Sequence, residues 1–352
     1  MFSSFKSKTS IFLVFVFFFG FVHNAGSCTR VVYKGLNGLV LTGRSMDFSI
    51  PIPANLWAFP KGMERNGEVG KNSLKWTSKY GSLAASSWDI ATPDGMNEAG
   101  LVANMLWLVE SEYPEFNKKG KKKGMAISLW AQYALDNFAS VKEAVDEFSK
   151  EEFVIVSDFI PGTKKFTTVH LSLSDASGDS AIFEYINGKL KIHHDASYRV
   201  MTNDPPFEKQ LALAKYWENV PGKSFLPGSV NSTDRYARAS HFISAIPETD
   251  DVRVAVASVF SVIRNVSVPF GYEIEGFPNL SSTQWRVVAD HKNKVYYFET
   301  ALTPNTFWVD LKKLDFASDA CVKKLDLSNH QTYSGETSAS FVEAEAFKFI
   351  GI

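Results

Sequence analysis

The feature that most constrains this chain is where its apolar leader stops. Ile11 to Val22 (IFLVFVFFFGFV) is an unbroken apolar run preceded by Lys6 and Lys8. It is short for a permanent bilayer span, which needs about 20 residues. A basic start, a short apolar run and the small residues Ala25-Gly26-Ser27 are the three parts of a secretory signal. Cutting after Ser27 would leave Cys28 as the first residue of a secreted or periplasmic protein. No second long apolar run follows, so no permanent membrane insertion is expected after cleavage. Two other readings of the leader stand beside this one: an uncleaved anchor, and a lipoprotein with a lipidated Cys28. The second normally has Leu three residues before the cysteine, where this chain has Ala25.

A cysteine at a freed chain start is a minimal catalyst. Its thiol is a nucleophile, and its own α-amine is a base. A free α-amine has a pKa of about 7.7–8.0, far below that of lysine, so part of it is neutral near pH 7. Acyl transfer further asks for a cation beside the thiolate, a group to orient the amine, and donors aimed at the developing oxyanion. The first segment, CTRVVYKGLNGLVLTGRSMDF, offers such groups. Two runs rich in β-branched residues flank Asn37-Gly38, a strong hairpin signal. Taken as a two-residue loop, Asn37-Gly38 sets Cys28 opposite Asp47 and Val31 opposite Arg44. Alternation then puts Cys28 and Asp47 on one face and Arg44 on the other, unless a bulge re-aims it. Without the turn, Asp47 and Arg44 are ordinary strand-end and edge charges. Cys28 itself keeps a second reading, in which it pairs with Cys321 in an exported, non-enzymatic binding protein.

Other chemistries find little support. The chain has 352 residues, with 37 basic and 38 acidic side chains. Losing Lys6 and Lys8 with the leader would give a formal charge of −3. Such balance lacks the clustered basic face of a nucleic-acid binder. The run Lys118 to Lys123 reads as a solvated loop. His193-His194 has no partner at metal-ligand spacing, two cysteines make no zinc site, and no phosphate or dinucleotide loop is present. No metal and no cofactor are expected. Length alone favours two domains, though enzymes of this size are often single units.

Strands are expected at 80–87, 101–108, 166–174, 180–186, 189–194, 197–202, 284–291, 294–300 and 306–311. Helices are expected at 125–138, 140–149, 206–218, 234–245 and 250–263. Ser140 and Glu143 form a capping-box pair. Strands cluster, helices follow and strands return, which fits an α+β fold of largely antiparallel sheets covered by helices.

Four ordered motifs then give the chain a resemblance to the choloylglycine hydrolase family of N-terminal-nucleophile amidases, which holds bile salt hydrolases and penicillin V acylases. CTRVVY…LTGRSMD has the family's spacing from Cys28 to Arg44 and Asp47. DGMNEAGL (94–101) resembles its NE-x-GL segment. VMTNDPPFEKQ (200–210) resembles its TN-x-P segment and places the family's catalytic Asn at Asn203. STDRYARAS (232–240) resembles its helix start and places the catalytic Arg at Arg235. The resemblance spans nearly the whole chain after the leader. On their own, Asn203 reads as a turn residue before Asp204-Pro205, and Arg235 as a first-turn helix residue.

The resemblance implies a four-layer αββα sandwich, a signal peptide at 1–27 and a single amidase domain at 28–352, often a homotetramer. It implies hydrolysis of a small-molecule N-acyl amide through an acyl thioester. In that scheme Cys28 attacks, Asp47 holds its α-amine and Arg44 stabilises the thiolate. Asn203 and the Trp107 backbone N–H form the oxyanion hole, and Arg235 supports the site. Trp107 stands where bile salt hydrolases carry Asn and Gram-positive penicillin acylases Tyr. NLWAFP (55–60), WTSKYGS (76–82) and ANMLWLVESEYP (103–114) resemble the Gram-negative branch, associated with penicillin V and N-acyl homoserine lactone deacylation. Phe48, Trp57 and Trp107 would line an apolar acyl pocket, or else are plain core aromatics. A bile salt hydrolase remains the alternative enzyme. So does an acid-ceramidase-like amidase, in which internal cleavage normally frees the cysteine.

Overall fold

The first hairpin sets the frame for everything else. In the computed structural model, which describes residues 28–220, 225–273, 281–303, 305–328 and 331–352, it opens the described chain. The leader, with the signal expected at 1–27, lies outside the described residues. β1 (Thr29–Lys34) and β2 (Val40–Phe48) are joined by Leu36–Gly38, where Asn37 (φ 53°) and Gly38 (φ 73°) take left-handed backbone. Asn-Gly makes the turn as expected, but Leu36 joins it. The loop closes through a 2.7 Å bond from the Gly35 N–H to the Leu39 carbonyl.

That extra residue moves the register by one. Thr29 pairs with Ser45 and Arg30 with Arg44. A one-residue slip exchanges the faces of a strand. Arg44 therefore shares the face of Cys28 with no bulge, and Asp47 lies on the opposite face, the reverse of the two-residue reading.

β2 lies inside a seven-stranded sheet ordered Val200–Met201, β1, β2, Ser282–Asp290, Val295–Thr300, Phe307–Asp310, Gly335–Glu336. A nine-stranded sheet faces it. Its order is Lys189–His194, Ser180–Ile186, Val169–Ser174, Val102–Trp107, Ala91–Asn97, Ser82–Ser87, Leu56–Phe59, Lys323–Leu325, Val342–Glu343. Both ladders are antiparallel except the last pair of the smaller sheet. Helices α1 (Trp130–Asn137) and α2 (Val141–Phe148) cover the larger sheet. α4 (Ser232–Ala245) and α5 (Val252–Asn265) cover the smaller one, and α3 (Phe207–Glu218) packs on α4. The result is the expected helix–sheet–sheet–helix stack.

Each face of the hairpin has a distinct environment. Thr42 bonds Ser174 at 2.8 Å, and Arg30 donates to the Leu173 carbonyl and Ser180 hydroxyl at 3.2 and 3.0 Å, so these residues point between the sheets. Gly43 points at the helices: a Cβ there would lie 2.6 Å from Val259 Cγ1 and 2.9 Å from Ile263 Cγ1. α5 thus rests on bare backbone, an approach only glycine permits.

Local signals explain the helix starts. The Ser140 hydroxyl accepts from the Glu143 N–H, and Glu143 reaches back to the Ala139 N–H at 2.8 Å. Asp251 caps α5 through the N–H groups of Arg253 and Val254. The helix expected from 125 begins later, because Lys123–Ala126 is a strand paired in parallel with Phe153–Val156.

Candidate active site

Cys28 is buried at the head of β1, between the sheets. Its sulfur receives the Asp47 backbone N–H at 3.4 Å and lies 3.7 Å from Arg44 Nη2 and 3.9 Å from the Met46 sulfur. Burial pushes the thiol above its ordinary pKa. Arg44 pulls hardest against this, helped by the Asp47 N–H and Arg235, while the Asp47 charge adds to the upward push. The resting sulfur is therefore a thiol at neutral pH, and an attack needs a base.

Arg44 is itself held on several sides. Its Nη2 donates to the Met105 carbonyl at 3.1 Å, its Nη1 lies 3.6 Å from Asp94, and its guanidinium sits 4.5 Å over the Trp285 ring. Tyr296 and Asn104 donate to Asp94 at 2.6 and 2.8 Å. Burial still raises Asp94 to about 6, against the pull of Arg44 and these two donors.

Asp47 reaches the same strand edge from the helix side. Ser45 donates to it at 3.1 Å, and so does Thr283, its neighbour across the ladder. Burial raises its pKa, with Arg235 the chief opposing group. Arg235, in the first turn of α4, joins three segments. Nη1 donates to the Cys28 carbonyl at 2.8 Å and the Thr29 hydroxyl at 2.6 Å, and Nη2 donates to Asn203 Oδ1 at 3.1 Å. That bond fixes the orientation of the Asn203 amide, whose Nδ2 donates to the Trp107 carbonyl at 2.8 Å. Gln210, on α3, steadies the loop by donating to the Asn203 and Pro205 carbonyls at 3.0 and 2.7 Å.

Beside the sulfur opens an apolar cavity of about 160 Å³, whose lining includes Phe48, Trp88, Met105 and Trp107. The Phe48 ring centre is 6.3 Å from that of Trp88 and 6.0 Å from that of Trp107. The Phe159-Ile160-Pro161 loop lines it too. The Lys165 ammonium lies 4.2 Å from the Trp107 ring and 4.5 Å from Phe48, and burial lowers its pKa to about 8.

The fold thus brings Cys28, Arg44, Asp47, Asn203, Arg235 and Trp107 into one cluster, with Phe48 and Trp107 along the cavity. Trp57 is a correction. It stacks on Phe59 at 6.1 Å, meets Phe347 edge-on and donates its indole N–H to Asp89 at 2.8 Å, in a separate apolar cluster. The cause is strand alternation: Leu56 and Ala58 face the main core, and Trp57 and Phe59 face the other way. The aromatic that lines the cavity instead is Trp88, which no sequence pattern singled out. Asp94, Thr283 and the 159–161 loop were also unmarked, although Asp94 opens the DGMNEAGL motif. The disulfide reading is corrected as well: both thiols are free, Cys28 buried and Cys321 exposed. Among the described residues, no three His, Cys, Asp or Glu side chains converge as a metal site.

Two facing antiparallel sheets between helix layers, with a buried cysteine heading an inner hairpin, define an N-terminal-nucleophile hydrolase fold. The structure superposes on penicillin V acylase from Agrobacterium tumefaciens with a TM-score of 0.86 and 55% identity, covering 92% of this chain and 100% of that one. On a mutant conjugated bile acid hydrolase from Clostridium perfringens the TM-score is 0.72 at 21% identity, covering 88% and 98%, a likeness of fold. In sequence the chain is 47% identical over 348 residues to penicillin V acylase from Pectobacterium atrosepticum, with 93% of each covered. It is 25% identical over 313 residues to a bile salt hydrolase/transferase from Clostridium perfringens, with 81% of this chain and 93% of that one covered. The profile of linear amide C–N hydrolases, choloylglycine hydrolase family, matches residues 28–333. The chain belongs to this family and is an amidase acting on linear, non-peptide carbon–nitrogen bonds.

Proposed function

We propose that the chain is exported to the periplasm or beyond, cut after Ser27, and deacylates amides of small apolar acids, with penicillin V-like phenoxyacetyl amides the best fit. The observation that carries this is the cavity. Its volume is about 160 Å³ and its lining is largely aromatic and aliphatic. A dry apolar cavity of about 150 Å³ takes one benzene ring. A phenoxy group fills such a space, whereas the four fused rings of a bile acid exceed it. Penicillin V acylase as the 47% identical relative supports the same substrate class. The acyl chain of an N-acyl homoserine lactone can enter the same slot.

The steps follow from the cluster. The freed α-amine of Cys28, held by Asp47, takes the thiol proton. Arg44, 3.7 Å from the sulfur, favours the thiolate. Sulfur attacks the amide carbon, and the carbonyl electrons move to oxygen, where the Asn203 amide and the Trp107 backbone N–H receive them. Collapse breaks the C–N bond, and the leaving amine takes the proton from the α-ammonium. Water, deprotonated by the same amine, then attacks the thioester and releases the acid and the thiol. Arg235 acts on this chemistry by holding the Cys28 carbonyl and Asn203. A homotetramer is part of the proposal, supported by the exposed apolar groups Leu213, Tyr216 and Phe225.

The test pairs intact mass with kinetics. The secreted protein should begin at Cys28 and run in light scattering as four copies. kcat/KM should be highest for penicillin V, lower for an acyl homoserine lactone and lowest for glycocholate. A different first residue refutes the base assignment. Glycocholate as the best substrate refutes the acyl-group reading.

A further inference from the structure

One wall of the acyl cavity comes from a part of the chain beyond the stretch that the family profile matches. That profile stops at residue 333, yet Ile350, Gly351 and Ile352 line the cavity beside Cys28. The segment is seated by two backbone–backbone bonds and one from a side-chain hydroxyl. The Ile350 N–H donates to the Ile90 carbonyl at 2.9 Å, the Ser128 hydroxyl donates to the Ile350 carbonyl at 2.7 Å, and the Ile352 N–H donates to the Glu68 carbonyl at 2.9 Å. Ile90 and Ser128 are themselves lining residues, so the segment closes a gap between two parts of the wall.

Gly351 makes this seat a close one. A Cβ there would lie 2.4 Å from the Glu68 carbonyl oxygen and 3.1 Å from Glu68 Cβ. The two backbones pack with no room for a side chain. Just upstream, Phe347 packs at 5.3 Å on Trp57 and 5.6 Å on Phe59, and the Arg65 guanidinium lies 5.4 Å from the Phe349 ring. The approach to the cavity is thus anchored outside it, and residues 350–352 can shift without releasing the segment. None of their bonds involves the partners of the Cys28 sulfur.

We propose that Ile350–Ile352 is a specificity-determining wall that caps the acyl cavity at about one aromatic ring, so that acyl length is set by this segment rather than by the residues around the sulfur. The inference rests on the amidase reading and adds the element that sizes the substrate. In an apolar pocket one methylene more or less is worth about 10–200-fold in kcat/KM. Retracting the wall moves the preference toward longer acids by that order.

The experiment uses p-nitroanilides of butanoate, hexanoate, octanoate, decanoate and phenoxyacetate. The native protein is compared with Gly351→Ala, which pushes the segment off Glu68, and with the double change Ile350→Ala and Ile352→Ala. The double change, which trims the wall itself, should raise the decanoyl-to-butanoyl ratio of kcat/KM by at least about tenfold. Gly351→Ala, which displaces the segment, should move that ratio by more than about twofold. A ratio unchanged within twofold, with all substrates slowed alike, overturns the wall. Binding of the matching free acids, read by tryptophan fluorescence in a Cys28→Ser background with and without the same changes, repeats the comparison without turnover. A shifted binding ratio in a protein whose native form cleaves none of the anilides supports the wall and counts against the amidase reading. An unshifted binding ratio counts against the wall alone.

Discussion

Replacing Glu184 by Gln tests whether a carboxylate outside the cluster around the Cys28 sulfur holds Asn203, the proposed oxyanion donor, in place. Glu184 lies on strand Ser180–Ile186 and is 1% exposed. It accepts bonds from His170 Nδ1 at 2.9 Å, His193 Nε2 at 3.2 Å and the Phe207 N–H at 3.1 Å to each oxygen. Phe207 is the first residue of α3, so the carboxylate closes the positive end of that helix. Burial pushes the Glu184 pKa up, but the bonds from His170, His193 and Phe207 outweigh it and bring the value from 4.5 down to about 2. At about 1.4 kcal/mol per pH unit, that gap is worth about 3 kcal/mol of stability. The folded pKa lies below the unfolded one. The contribution is therefore complete above about pH 4.5 and is lost as pH falls toward 2. Urea unfolding should show Glu184→Gln less stable by about 3 kcal/mol at pH 7, with the gap narrower by about 1 kcal/mol at pH 4. Asn203 precedes this helix, and Gln210 ties it there, so kcat should fall while KM moves little. Equal stability at pH 7, or a deficit that ignores pH, would refute the reasoning.

Two further substitutions probe the reacting groups. Cys28→Ser should keep the fold by circular dichroism and lose nearly all amidase activity; substantial turnover would remove Cys28 as the nucleophile. Asn203→Ala should lower kcat by about 10²–10³ with little change in KM, the cost of one oxyanion donor. A KM effect alone would make it a binding residue.

Much of this fold was legible because its signals are local. The helix at 140–149 announced itself by its Ser140–Glu143 capping box, and the helices expected at 206–218 and 250–263 also appear within a few residues of those limits. Asn37-Gly38 announced the hairpin. The register was not legible, because Leu36 joins the turn through backbone geometry that its side chain does not signal. Strand Ala91–Asn97 was missed for a related reason. Its Pro93, Asp94 and Gly95 are residues that strand interiors disfavour, yet Pro93 sits beside a ladder irregularity, and Gly95 lets Leu135 of α1 approach to 2.8 Å of where a Cβ would be. At the site, Cys28, Arg44, Asp47, Asn203 and Arg235 were marked by motif spacing. Trp88, Thr283 and Ile350 were not, since their roles arise where distant segments meet.

The hairpin register has a consequence for how the reaction divides its labour. Sulfur and Arg44 look into the seam between the sheets, beside the apolar cavity, while Asp47 looks toward the helix layer, where Ser45, Thr283 and Arg235 gather. One strand edge works as a partition. On the proposed mechanism the apolar acyl group is held on one side and the amine that carries the proton on the other, and Cys28 is the residue that belongs to both compartments.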